Sequence, residues 1–298
     1  MTLALVAGPG EVPPHLVRTC LARGEVPLIC ELDGDPSDIL GDLPRQRFRF
    51  ETFGSLLHDL TARGITRLCI AGHMARPGVD PARIDAATAR FLPRLQAALG
   101  QGDDAVRREI VTIIEEAGIE VVAAPDIAAD LLPAPGVLTG AVPDGVAADL
   151  ATAQAEMART DTGQAVVVRG GHVVASAGAR GTDAMLHDLA TPGDTGAGWT
   201  LDPFDVADQL IGGAADWLSA QDGAGDETGG IFYIAPRRGQ DPRTDLPVID
   251  ASTARCATHA RLDGIVIGEG AAMLLAPDDV RDILTAAGLF LWVRPAGG

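Results

Sequence analysis

The chain has 298 residues, 47% of them hydrophobic and 21% charged, which is enough apolar surface for two ordinary domain cores and too much for a disordered chain. Its 41 acidic residues outnumber 23 basic ones, and a net charge of −18 excludes general binding to a nucleic-acid backbone. All the basic residues are arginine, so Schiff-base chemistry, a P-loop lysine and a lysine base are excluded as well.

Leu3–Ala7 is an unbroken apolar run ending in Gly8-Pro9-Gly10, the pattern of a buried parallel strand and a tight turn. Pro13 or Pro14 opens a helix with Leu16, Val17, Cys20 and Leu21 on one face, and Gly24 closes it. Residues 27–32 read as a strand, 54–63 as a helix with Leu56, Leu57 and Leu60 inward, and Arg67–Ala71 as a third strand ending at Gly72-His73. Residues 88–99 and 103–117 read as helices and 119–123 as another strand. Strands alternating with helices predict a Rossmann-like, mainly parallel sheet over residues 1–132. Pro133-Ala134-Pro135-Gly136 marks a connector over 133–143.

The remainder, 144–298, reads as a mixed α/β catalytic domain with a hairpin. Residues 164–176 form two strands joined by Gly170-Gly171, and a helix starts at Gly181-Thr182-Asp183. Residues 231–235 are a strand leading into a loop over 236–247. A helix over 251–262, a strand over 264–267, a helix from Pro277 stopped at Gly288 and a strand over 289–293 complete the alternation. Residues 191–230 stand apart as an insert rich in Gly and Asp, carrying Trp199 and Trp217, and are expected to be mobile. Cys20, Cys30, Cys69 and Cys256 form no CxxC or zinc spacing and read as small core residues of a reducing compartment. The short apolar start lacks a basic flank and no run is long enough to span a bilayer, so a soluble cytoplasmic protein is expected.

Four motifs could carry chemistry. Gly8-Pro9-Gly10 is either an ordinary strand-to-helix turn or a backbone cradle for a phosphate. Gly72-His73 with Arg76 sets an imidazole and a guanidinium at a strand's carboxyl end. Gly181-Thr182-Asp183 at a helix start is an N-cap, an anion site, or both. The strongest signal runs from Arg237 through Gln240, Asp241 and Arg243 to Asp245: three arginines within seven residues of an acidic protein, interleaved with two carboxylates. Arginines clamp phosphate oxygens, and paired carboxylates hold a divalent cation or orient water.

Taken together, these segments resemble a known family. The opening Leu5-Val6-Ala7-Gly8-Pro9-Gly10, Ala71-Gly72-His73-Met74-Ala75-Arg76-Pro77, Gly102-Asp103-Asp104-Ala105, Gly136-Val137-Leu138-Thr139 and Gly163-Gln164-Ala165-Val166 carry the resemblance. So do Gly181-Thr182-Asp183-Ala184-Met185-Leu186, Gly239-Gln240-Asp241-Pro242-Arg243, Asp245-Leu246-Pro247 and Ala287-Gly288-Leu289-Phe290. In order and spacing they are similar to the UDP-2,3-diacylglucosamine pyrophosphatases that α-proteobacteria use in lipid A synthesis. The resemblance implies two α/β domains and Mg²⁺- or Mn²⁺-dependent hydrolysis to UMP and 2,3-diacylglucosamine 1-phosphate. It puts the essential acid at Asp245, with Asp241 as its partner in catalysis and metal binding. The motifs and the resemblance together give as candidate substrate contacts Gly8, Gly10, Gly72, His73, Arg76, Gln164, Gly181, Thr182, Asp183, Arg237, Gln240 and Arg243. Peripheral contact with the inner-membrane surface and a homodimer are left open. Pro9, Arg180, Ile234 and Arg237 depart from the family pattern, so the alternative is a weak or inactive homologue that binds a nucleotide sugar or lipid as a sensor. A nicotinamide dehydrogenase is disfavoured, because position 13 is proline and the GxGxxG fingerprint is incomplete.

Overall fold

The computed structural model describes residues 2–73, 78–159, 164–177, 181–190, 228–236 and 240–295, apart from the side chains of residues 181, 183, 184 and 190. The chain forms two compact units, residues 1–132 with 239–246, and 133–238 with 247–298. Both are α/β.

In the first unit the order is β1 (Leu3–Ala7), α1 (Val12–Ala22), β2 (Leu28–Leu32), β3 (Arg45–Phe48), α2 (Phe53–Ala62), β4 (Arg67–Ala71), α3 (Ala86–Ala89), α4 (Leu92–Leu99), α5 (Asp103–Glu116), β5 (Glu120–Val121) and α6 (Ala124–Ile127). The strands form one parallel sheet in the order β3-β2-β1-β4-β5. The expected strand–helix alternation is therefore present, and the winding reverses direction between β1 and β4. Every residue of β1 and β2 is buried; β1 is a continuous apolar run, and β2 is one interrupted only by Glu31, whose carboxylate is paired with Arg45 at 2.6 Å. The helix expected over 88–99 is two helices. Pro93 sits in the first turn of α4, where its missing N–H does no harm, whereas inside one continuous helix it would break the ladder. The strand expected over 119–123 shortens to β5. The polar strand β3, an edge strand of sequence RQRF, has no apolar pattern to announce it.

The second unit runs β6 (Gly136–Thr139), α7 (Val146–Arg159), β7 (Ala165–Arg169), β8 (His172–Ser176), α8 (Gly181–Ala190), β9 (Ile231–Ile234), β10 (Val248–Ile249), α9 (Ala251–His259), β11 (Gly264–Gly268), β12 (Met273–Leu274), α10 (Pro277–Ala287) and β13 (Phe290–Arg294). Its main sheet has the order β6-β13-β11-β9-β7-β8. Strands β9, β11 and β13 are parallel, while β6, β7 and β8 run antiparallel to their neighbours. Val167, Phe232, Ile265 and Leu291 face one core, and Val166, Tyr233 and Val266 face the other with Val146 and Leu150 of α7. Successive residues thus supply opposite faces of the sheet. Strand β6 lies inside the stretch read as a connector. The prolines at 133 and 135 favour extended backbone, and an edge strand needs the same geometry as an extended linker.

Cys20, Cys30 and Cys69 are buried and none of the four cysteines is in a disulfide. Burial pushes the thiols of Cys30 and Cys69 up to about 12, so they pack as inert small residues. No helix among the described residues is long and apolar enough to cross a membrane. The insert expected over 191–230 lies outside the described residues except for 228–230, which lead into β9.

Candidate active site

The reversal point of the first sheet brings the two glycine motifs together. Gly8 N donates to Ala71 O at 3.0 Å and His73 N to Pro9 O at 2.9 Å, locking the turn after β1 to the turn after β4. Carboxyl ends flanking a reversal are where open α/β sheets take ligands. Gly72 holds φ +87°, and a Cβ there would lie 2.7 Å from the carbonyl oxygens of Gly8 and Pro9. Gly72→Ala is therefore expected to destabilise the protein by about 2–4 kcal/mol, read as a fall of several degrees in melting temperature. An unchanged melting curve would show that the two turns are not locked.

This turn is a poor phosphate cradle. Gly10 N already donates to Asp38 Oδ2 at 2.7 Å, and His15 N is bonded to Glu11 O at 3.2 Å. Pro13 and Pro14 leave the first turn of α1 short of two N–H donors. Gly8, Gly10, Gly72 and His73 are thus gathered at one place, where Gly10 and His73 are exposed. Arg76 lies outside the described residues.

In the second unit, Gln164 O accepts from Ala235 N at 3.2 Å, and Ala177 N donates to Ala165 O at 2.8 Å. Gln164 and the start of α8, with Gly181, Thr182 and Asp183, therefore sit at the sheet edge where β9 ends. The side chain of Asp183 and the whole of Arg237 lie outside the described residues.

Residues 239–246 of the charged loop belong to the first unit. Asp241 O accepts from Thr244 N at 3.0 Å and Asp245 N at 3.1 Å, making a single tight turn. Gln240 Nε2 donates to Asp245 O and braces it. Asp241 caps the turn by accepting from Arg243 N at 3.0 Å. Its two oxygens also take the Arg243 fork, Nε at 2.9 Å and a terminal nitrogen at 2.7 Å.

Helix α5 supplies the other wall. Its positive-φ N-cap, Gly102, sets Asp103 and Asp104 in the first turn, where the helix dipole favours them. One turn later come Arg107 and Arg108, and two turns further Glu115. A terminal nitrogen of Arg107 donates to Asp104 Oδ1 at 3.1 Å and ion-pairs with Asp245 Oδ2 at 3.4 Å. Arg243 reaches across to Glu115 Oε1 at 2.6 Å. Asp104, Arg107, Arg108, Asp241, Thr244 and Asp245 line a small pocket of about 10 Å³ that opens to solvent. The sequence reading placed Asp241, Arg243 and Asp245 in one loop but missed Arg107 and Arg108. Their signal was the spacing from Asp104, a charged i, i+3, i+4 face on a helix whose other face is apolar.

The Arg243 hydrogen bonds, then its charge and that of Arg108, hold the Asp241 carboxyl below the usual aspartate range, and Asp241 raises Arg243 in return. A depressed folded-state value stabilises the protein above the unfolded value and loses that contribution as pH falls through the folded one. Asp241→Asn should therefore lower stability most at neutral pH, and its difference from the parent should shrink as pH falls below about 4, giving a flatter acid limb. Melting temperatures of parent and variant measured across that range check it; parallel acid limbs would remove the ion pair from the account.

Among the described residues no three His, Cys, Asp or Glu side chains are grouped as a metal cage. Mg²⁺ commonly needs only one or two protein carboxylates, the rest of its shell being water and substrate phosphate. Asp245 and Asp104 line the cavity with hard oxygens and fit that mode. Asp241, expected as a second ligand, has both oxygens on Arg243, so its bond to that arginine would have to yield first.

Two family models match the chain, the LpxI N-terminal domain over residues 2–131 and the LpxI C-terminal domain over residues 135–292. A curated relative, the UDP-2,3-diacylglucosamine pyrophosphatase LpxI of Caulobacter vibrioides, is 31% identical over 97% of this chain and 96% of its own length.

Proposed function

The chain belongs to the LpxI family, and from that premise we propose that it hydrolyses the pyrophosphate of UDP-2,3-diacylglucosamine, releasing UMP and 2,3-diacylglucosamine 1-phosphate. The observation that carries the reading is the meeting of Asp241 and Asp245 with Arg107 and Arg108 of α5 around one small cavity. A protein of charge −18 repels a diphosphate over most of its surface. Arg107, Arg108 and Arg243 supply the local positive charge that a pyrophosphate needs in its ground and transition states.

Asp245 is the acid-base group in this reading. Its carboxylate orients a water and accepts its proton as that water attacks phosphorus. Asp241 is a positioning residue that fixes the Arg243 guanidinium beside it. Mg²⁺ or Mn²⁺, held by Asp245 with Asp104 or Asp241 and by substrate oxygens, would neutralise charge on the phosphoryl group. The exposed residues Gly10 and His73, at the switch point of the first unit's sheet, are left for the uridine or the sugar portion. The test is product analysis with Mg²⁺ and UDP-2,3-diacylglucosamine: UMP and the sugar 1-phosphate should appear in equal amounts. Tight binding of the substrate without UMP release would favour the sensor reading.

A further inference from the structure

The turn that carries Asp241, Arg243 and Asp245 is tied to both ends of α5. Arg107, near the start of the helix, pairs with Asp245 Oδ2 at 3.4 Å, and Glu115, near its end, accepts from Arg243 Nη1 at 2.6 Å. These two anchors are eight residues apart, about 12 Å along the axis at the usual rise per residue. One anchor would leave the turn a pivot, whereas two fix its angle to the helix. Nothing in helix stability calls for Glu115. It lies in the last turn of α5, which holds no basic residue, and a carboxylate there opposes the negative end of the helix dipole. Its side chain is 43% exposed and that of Arg243 33%, and pairs so open to solvent contribute little stability. The fork of Arg243 gives it a purpose. Nε and Nη2 are on Asp241 at 2.9 Å and 2.7 Å, and Nη1 is on Glu115. The two carboxylates thus engage three of the five N–H donors, and one on each terminal nitrogen remains for phosphate oxygens.

We propose that Glu115 is a positioning residue of this site: from α5 it holds the Arg243 guanidinium, and with Asp241 it aims the two remaining N–H donors at the substrate diphosphate. The inference rests on the pyrophosphatase reading above. Asp241 is two residues from Arg243 in the same turn, so alone it leaves the guanidinium free to move with that turn. Glu115 ties the fork to the helix that carries Arg107 and Arg108, and the three guanidinium groups then keep fixed relative places. Charge spread over the phosphoryl oxygens in the transition state is stabilised by donors already in position, so an error in aim lowers the rate more than the affinity. Glu115 acts only through Arg243 and touches no reacting atom.

A double-mutant cycle separates this role from a structural one. Glu115→Ala should lower kcat about tenfold, with KM within about threefold of the parent. Its melting temperature should stay within about 2 °C of the parent's. Glu115→Gln keeps an oxygen acceptor at the same reach and should return kcat to within about threefold of the parent. Glu115→Met, which keeps the stem without the acceptor, serves for Ala if that variant fails to fold, with the same expected loss. In an Arg243→Ala background, adding Glu115→Ala should change kcat by less than about twofold, because the group it holds is gone. Asp245→Asn is measured alongside. An equal loss on both backgrounds would show that Glu115 acts without Arg243 and would overturn the proposal. A loss of turnover that comes with a large fall in melting temperature marks a structural role and overturns it too. If Asp245→Asn is inactive while Glu115→Ala and Glu115→Met keep parental kcat, the positioning role is overturned and the pyrophosphatase reading stands. If Asp245→Asn is fully active, that reading has failed and the inference fails with it.

Discussion

Asp245→Asn is expected to lower kcat on the order of 10²-fold or more while leaving KM and the melting temperature close to the parent's. The substitution is nearly isosteric. It keeps one oxygen acceptor and removes the charge and the basicity that a general base needs. Stability should survive, because the ion pair it breaks is a 3.4 Å contact to an Arg107 side chain that is 43% exposed, and such pairs contribute little. The turn should also survive, since its bonds run through the backbone of Asp245, whose N–H donates to Asp241 and whose carbonyl accepts from Gln240. Substrate affinity should hold because Arg107, Arg108 and Arg243 remain. Steady-state kinetics beside a thermal melt test this directly; parental kcat would mean that Asp245 is not the acid-base residue.

Chelation is the second large effect. Treatment with EDTA should reduce turnover to background, and Mg²⁺ or Mn²⁺ should restore it, whereas soft metals should restore it poorly. The carboxylates that line the cavity are hard oxygen donors, and no cysteine or histidine lines it. Removing the metal leaves a doubly anionic diphosphate beside Asp104, Asp241 and Asp245 with only guanidinium groups to offset the repulsion. Full activity in chelator would show that Arg107, Arg108 and Arg243 are sufficient, and the carboxylates would then have no metal role.

The fold was legible wherever burial writes itself into the sequence. β1, β9 and the first four residues of β7 are buried apolar runs, β2 and β4 are largely apolar with one charged residue each, and the glycines at 24, 64 and 288 stop helices where they stand. What escaped were elements without that signal: β3, whose RQRF pattern reflects an exposed edge, and β6, hidden between prolines. Helix α7 escaped too, although Val146, Leu150, Ala153 and Met157 recur at helical spacing in an alanine-rich stretch.

The site was half legible for a different reason. Asp241, Arg243 and Asp245 are close in the chain, so the sequence shows them together. Arg107, Arg108 and Glu115 are more than a hundred residues away, and only folding brings α5 against that loop. Gly8 and Gly72 were read as separate motifs, and the sheet order β1-β4 is what makes them one.

The most direct measurement is a phosphorus NMR time course of UDP-2,3-diacylglucosamine with the purified protein and Mg²⁺. The two coupled diphosphate signals should decay together and be replaced by two phosphomonoester signals of equal intensity, those of UMP and the sugar 1-phosphate. Diphosphate signals that persist through the time course, or the appearance of inorganic phosphate in their place, would contradict the assignment of this loop and helix as a UDP-sugar pyrophosphatase centre.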